Sequence, residues 1–294
     1  MEMTNIFGNS ILSPKDELFA YEYLWAQQGS SLKDISNKLT KTNYLPSEVL
    51  QNLSLFKDDE LMFDIIKYIT EKKKETKFSI MLKENFQFPQ RLLNAENPID
   101  LFYYKGNLNL TNNRCISIVG ARKATNDGIK RANKLAYLLT KNNFTIVSGL
   151  ALGIDTAAMT TAIKEGGSVI GVIGTPITEY YPKENKDLQD FVANNHLLIS
   201  QVPIYKYSKQ PFKTKRLYFP ERNITMAALS EATVIVEASD TSGSLTQARA
   251  CFNQGKKLFI LNSCFENPDI TWPRKYLEKG AICVKNIEDI LKSL

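Results

Sequence analysis

The chain has 294 residues, 43% apolar and 23% charged, with a formal net charge of +6. That length can bury a medium domain plus a smaller one, and no apolar run approaches a membrane span. Met1 to Ser13 also lacks a basic segment leading into an apolar one, so the sequence reads as soluble, cytoplasmic and without a membrane partner.

Cys115, Cys251, Cys264 and Cys283 lie far apart with no CxxC, which reads as reduced thiols rather than a metal or disulfide framework. His196 is the sole histidine, so any His-paired nucleophile would have to use it. Charge is uneven: residues 1–78 carry 10 basic and 12 acidic side chains, and residues 79–294 carry 27 and 19. The later region is the one suited to polyanions.

In chain order, residues 14–75 read as helical, with Leu18, Tyr21, Leu24 and Trp25, then Ile35 and Leu39, then Leu61, Ile65, Ile66 and Ile69 at helical spacing. The run Glu71-Lys72-Lys73-Lys74-Glu75 reads as a solvated helix end. These observations predict a small helical N-terminal domain over 1–77 and a second domain over 78–294. Pro89 and Pro98 forbid a continuous helix across 88–106, and Leu101 to Tyr104 reads as a strand at the edge of the second domain.

From Cys115 onward strands alternate with helices: Ile116–Val119, a helical face from Ile129 to Leu139, Thr145–Val147, a helix over Ala157–Lys164, and Val169–Ile173. The alternation continues through Leu188–Ala193, Leu197–Ser200, Ile224–Leu229, Val234–Val236, Leu245–Phe252, Leu258–Leu261, Ala281–Val284 and Ile287–Leu291. Such alternation predicts an α/β, Rossmann-like, doubly wound and mostly parallel sheet with ligands at the carboxyl ends of the strands.

Three strand ends carry glycine turns into a helix: Gly120-Ala121-Arg122, then Ser148-Gly149 through Gly153 to Asp155, then Ser239 to Ser244 with Ser242, Gly243 and Ser244 at the helix head. Free N–H groups at a helix start favour an anion, and several such sites along one edge suit a sugar–phosphate chain better than a single nucleotide. Arg122 adds a guanidinium able to grip a phosphate in bidentate fashion. Residues 205–223 interleave Lys206, Lys209, Lys213, Lys215 and Arg216 with Tyr205, Tyr207, Phe212, Tyr218 and Phe219, with no acid before Glu221. Cations tracking a backbone and rings stacking unpaired bases are what single-strand binders use. Arg222-Asn223 is expected to begin a helix facing the same rim. In the VIGTPITEYYP stretch, Tyr181 reads either as an aromatic edge or as a packed corner.

Taken together, FPQRLLNAENPIDLFYYKG, ISIVGAR, SGLALGID, GTPITEYYP, FPERN, VEASDTSGSLTQA and KGAICVKNIEDIL resemble, in order, the DNA-processing protein A (DprA/Smf) family. The resemblance implies a dimeric single-stranded DNA-binding protein, not an enzyme and without a cofactor, that protects the strand and loads RecA-type recombinase onto it in natural transformation. It implies DNA contacts at Arg122, Gly149, Gly153, Arg216, Phe219, Arg222 and Asn223. The turn residues Gly120, Ser148, Ser242, Gly243 and Ser244, and Lys215, complete the expected interface. Ile224, Pro176, Met159 and Ser200-Gln201 depart from the family pattern, which leaves room for a diverged role in a mobile element or defence locus. The rival expectation is a nucleotide sensor or phosphoribohydrolase of the LOG type. The turn DTSGSLTQA, however, has no glutamate at the place where that chemistry needs one.

Overall fold

The computed structural model describes residues 13–53 and 58–294. The expectation about a leader over Met1 to Ser13 therefore lies, except for Ser13, outside the described residues.

Among the described residues four helices come first: α1 (Pro14–Ala26), α2 (Leu32–Thr42), α3 (Pro46–Asn52) and α4 (Asp59–Glu75). Ser13, Ser31 and Asp58 cap α1, α2 and α4 by accepting a backbone N–H with their side chains, and Pro14 and Pro46 occupy first-turn positions where no N–H is needed. The lysine run forms the last turn of α4, where its charge complements the carbonyl end of the helix.

The chain then forms β1 (Ser79–Leu82), α5 (Gln90–Leu93) and β2 (Leu101–Gly106), followed by β3 (Cys115–Val119), α6 (Asn126–Lys141), β4 (Thr145–Ser148), α7 (Ile154–Lys164) and β5 (Val169–Val172). Next are α8 (Lys186–Asn195), β6 (Leu197–Ser200), α9 (Ile204–Lys209), α10 (Phe212–Lys215), α11 (Tyr218–Leu229) and β7 (Ala232–Ile235). The last elements are α12 (Ser244–Asn253), β8 (Lys257–Leu261), α13 (Asn262–Phe265), α14 (Trp272–Leu277), β9 (Ile282–Val284) and α15 (Ile287–Leu291).

The nine strands of the described residues make one sheet in the order β1-β2-β6-β5-β4-β3-β7-β8-β9. All pairings from β6 to β9 are parallel, whereas β2 runs antiparallel to β6 and to β1. Strands β3 to β7 are buried along their whole length, as continuous apolar runs between two helical layers must be. Helix α6 turns Ala132, Leu135, Ala136 and Leu139 inward. The winding reverses beside β3, with β4 on one side and β7 on the other, and this is the switch point where a doubly wound sheet opens a crevice.

One expectation is corrected. Helix α11 begins at Tyr218, not at Arg222-Asn223. Pro220 is its third residue, inside the first turn, where a missing N–H costs no helical hydrogen bond. The stretch before it forms the two short helices α9 and α10.

The N-terminal helices pack on this sheet and on α9. Glu22 of α1 is fully buried and accepts N–H groups from Ile204 at 2.8 Å and Tyr205 at 3.0 Å, and the Tyr103 hydroxyl from β2 at 2.5 Å. Lys206 donates to the Ser30 carbonyl at 2.6 Å.

Candidate nucleic-acid interface

A groove of about 920 Å³ opens at the carboxyl ends of β3 and β7. Of the residues expected there, Gly120, Arg122, Phe219, Arg222, Asn223, Ser242, Gly243 and Ser244 line it. Ser148, Gly149, Gly153, Lys215 and Arg216 are not among its walls.

The first turn differs from its expectation in one respect. The Glu237 carboxylate, just past β7, accepts the Thr125 N–H at 2.8 Å and the Thr125 hydroxyl at 2.6 Å, and lies 3.4 Å from Arg131. The head of α6 is thereby filled by the chain's own anion rather than open to a phosphate. A β-carbon on Gly128 would sit 2.3 Å from Glu237 Oε2, so the carboxylate rests directly on the first turn of α6. In the sequence Glu237 falls within VEASDTSGSLTQA with no local feature that marks a role. The available signal was register: β3 pairs β7 with Val119 beside Ile235, which puts Gly120 and Glu237 on one rim. Gly120 itself is needed because a β-carbon would come within 2.5 Å of Ile154 Cγ1 and 2.9 Å of the Glu237 carbonyl. Arg122 remains exposed at the rim, its guanidinium 5.8 Å from the centre of the Phe219 ring.

The second turn is an internal joint. The Gly149 N–H donates to Asp155 Oδ2 at 3.0 Å, and the Ser148 hydroxyl donates to the Ile118 carbonyl at 2.8 Å. The Ile154 N–H donates to the Ala121 carbonyl at 3.2 Å. Gly153, at φ 79°, approaches the Arg122 carbonyl so closely that a β-carbon would sit 2.6 Å from it. Both glycines mark close approach, but the approaching groups belong to the protein, so the anion expected at this turn has no open seat. Arg222 is 6% exposed and donates from Nη1 to the Val172 carbonyl at 2.7 Å. Burial lowers its pKa to about 10, which leaves it cationic at neutral pH beside Asp155, whose carboxyl burial pushes upward.

The third turn opens to the groove. Ser244 N–H is held by the Ser242 hydroxyl at 3.2 Å, and nothing lies within 4 Å of where a Gly243 β-carbon would be. The head of α12 therefore presents the exposed Gly243 backbone, with Ser242 and Ser244 beside it, at the groove wall.

Phe219 is half-buried: a β-carbon on Gly174 would be 2.7 Å from its ring, and the exposed Tyr181 ring is centred 5.1 Å away. Lys215 lies 4.5 Å from the Tyr207 ring and Arg216 lies 5.0 Å from the Phe212 ring. None of Arg122, Lys213, Lys215 and Arg216 forms an ion pair among the described residues.

Other candidate chemistry lies elsewhere. His196 precedes β6, at the strand end opposite the groove, and is centred 5.8 Å from Phe191. All four cysteines are free, and burial pushes the thiols of Cys115, Cys251 and Cys264 up to about 11. The described residues bring no three His, Cys, Asp or Glu side chains together as a metal site would, and no helix among them is long and apolar enough to cross a membrane.

The family model for DNA recombination-mediator protein A matches residues 79–294. The chain belongs to that family. The DNA processing protein DprA of Streptococcus pneumoniae (strain ATCC BAA-255 / R6) is 37% identical over 191 residues, 65% of this chain and 65% of that protein. DprA of Bacillus subtilis (strain 168) is 34% identical over 209 residues, 71% of this chain and 68% of that protein. Protein Smf of Escherichia coli (strain K12) is 31% identical over 71% of this chain and 54% of its own length. The chain thus spans between half and about two thirds of these family members. The X-ray structure of S. pneumoniae DprA matches with a TM-score of 0.69 at 30% identity, over 96% of this chain and 93% of that one. DNA processing protein A of Helicobacter pylori, solved to describe its single-stranded DNA binding mode, matches with a TM-score of 0.62 at 29% identity, over 74% of this chain and 95% of that one. Helices α1 to α4 precede the residues that the family model matches.

Proposed function

We propose that this chain binds single-stranded DNA along the groove between the first and third turns and acts as a recombination mediator, protecting the strand and delivering a RecA-type recombinase to it as a homodimer. The observation that carries the DNA reading is Arg122 at the groove wall, exposed, without an ion-pair partner among the described residues and set over the face of Phe219. Phosphates satisfy such cations, and bases stack on such rings without a sequence requirement. The family description and the DNA binding of the H. pylori relative support the same reading. In it, Arg122, Phe219, Ser242, Gly243, Ser244, Lys215 and Arg216 meet the strand. Gly120, Ser148, Gly149, Gly153 and Arg222 shape the rim, and Asn223 lines the groove beside them.

The rival reading, a small nucleotide bound as in a dinucleotide fold, needs the head of α6 for its phosphates. Glu237 stands there, and its charge opposes a diphosphate. A labelled oligothymidylate displaced by unlabelled oligonucleotide but not by excess nucleoside diphosphate supports the polymer reading, and efficient displacement by the nucleotide refutes it. For the mediator role, the protein should speed recombinase filament growth on a strand it already covers; inhibition would count against it.

A further inference from the structure

Seven residues before Phe219 stands an aromatic that the groove does not contain. Phe212 is 64% exposed and Leu217 is 63% exposed. Arg216 lies over Phe212 as Arg122 lies over Phe219, at 5.0 and 5.8 Å from the ring centres. Lys213 is exposed beside them.

The segment keeps helical backbone across the junction, with Arg216 and Leu217 in the right-handed helical region. The Thr214 N–H donates to the Pro211 carbonyl at 3.1 Å, Leu217 to Thr214 at 3.0 Å, and Phe219 to Arg216 at 3.3 Å. These bonds join α10 to α11 as successive helical turns, which places Phe212 roughly 10 Å from Phe219 along the axis. That separation is about three base steps at the 3.4 Å spacing of a stacked strand. Behind it, α9 is anchored to the N-terminal helices by Glu22 and Lys206.

Such an exposed pair of large apolar side chains has two natural covers, an apolar protein surface or a nucleobase. Covering it with an apolar protein surface would strip water from Lys213 and Arg216, which pair with no acid among the described residues, whereas the phosphates of a nucleic acid supply that partner. We infer that Phe212, with Arg216 over it, is a second base-stacking step outside the groove, and that the bound strand runs from Phe219 past Leu217 to Phe212. This rests on the single-stranded DNA reading and extends it to an additional contact about three nucleotides away.

The test is fluorescence anisotropy on the full chain with oligothymidylates lengthened one nucleotide at a time. For the unmodified protein, affinity should step up when the strand becomes about three nucleotides longer than the shortest one that binds. Phe212→Ala should abolish that step, weakening long strands about 10-fold while leaving short ones alone, and Phe212→Trp should restore it. If Phe212→Ala matches the unmodified protein at every length while Phe219→Leu weakens binding, the second step is wrong and the groove reading stands. If neither variant changes binding, both fall. A Phe212→Ala protein with altered mass in solution and unaltered DNA affinity would assign the patch to a contact between copies, and overturn the inference.

Discussion

Arg222 lies against Gly149 so closely that a β-carbon at residue 149 would collide with its guanidinium. The same guanidinium holds the Val172 carbonyl at 2.7 Å and sits beside buried Asp155, which accepts the Gly149 N–H. The arginine expected to contact DNA is thus a strut that ties α11 to the ends of β4 and β5. Removing it leaves the Asp155 carboxyl buried without its cation.

Arg222→Ala should therefore cost about 3 kcal/mol of stability. Urea unfolding measures it. An unchanged midpoint would show that the strut carries no load.

Arg122→Ala should do the reverse, because its guanidinium is exposed and has no ion-pair partner among the described residues. Folding should be unaffected, and single-strand affinity should fall by about 1.5–3 kcal/mol. Equal affinity for the two folded proteins would remove Arg122 from the interface.

Phe219→Leu should show a mixed effect. The ring packs on Gly174 and Tyr181, so stability should fall by about 1 kcal/mol, and loss of the flat face should weaken single-strand binding by about 1–3 kcal/mol. A loss of stability with unaltered affinity would make Phe219 a packing residue alone.

Glu221, between Phe219 and Arg222, points toward the N-terminal helices. It accepts the Leu32 N–H at 3.4 Å, faces Lys206 and Tyr218, and has a second oxygen buried without a partner. Burial pushes its carboxyl up to about 7. A raised carboxylate favours the folded state fully below its unfolded pKa, near 4.3, and that contribution is lost as pH rises through about 7. Stability should thus decline between pH 5 and pH 8. Glu221→Gln should flatten the decline, with a gain on the order of 2 kcal/mol at pH 8 and little at pH 5. Parallel pH profiles for the two proteins would contradict this.

The sheet was legible because β3 to β8 are short runs rich in Ile, Val and Leu that alternate with helical patterns, and α6 keeps a clean helical face. The turns were harder. A glycine signals that something comes close, but not what: Arg222 at Gly149, backbone carbonyls at Gly153 and Glu237 at Gly128 are all contributions of distant sequence. Glu237 was missed for the same reason, since only the β3–β7 register brings it to Thr125. The basic segment was legible in its composition, cations among aromatics with no acid before Glu221. Its helical form was not legible, because Pro211 and Pro220 look like breakers until they fall at helix starts.

The central claim is tested most directly by titrating one labelled strand, single and then annealed to its complement, over a range of salt concentrations. The account predicts tighter binding to the single strand, with log affinity falling linearly with log salt and a shallower slope for Arg122→Ala, by roughly 0.7 for one lost phosphate contact. Tighter binding to the duplex, or affinity indifferent to salt, would contradict it.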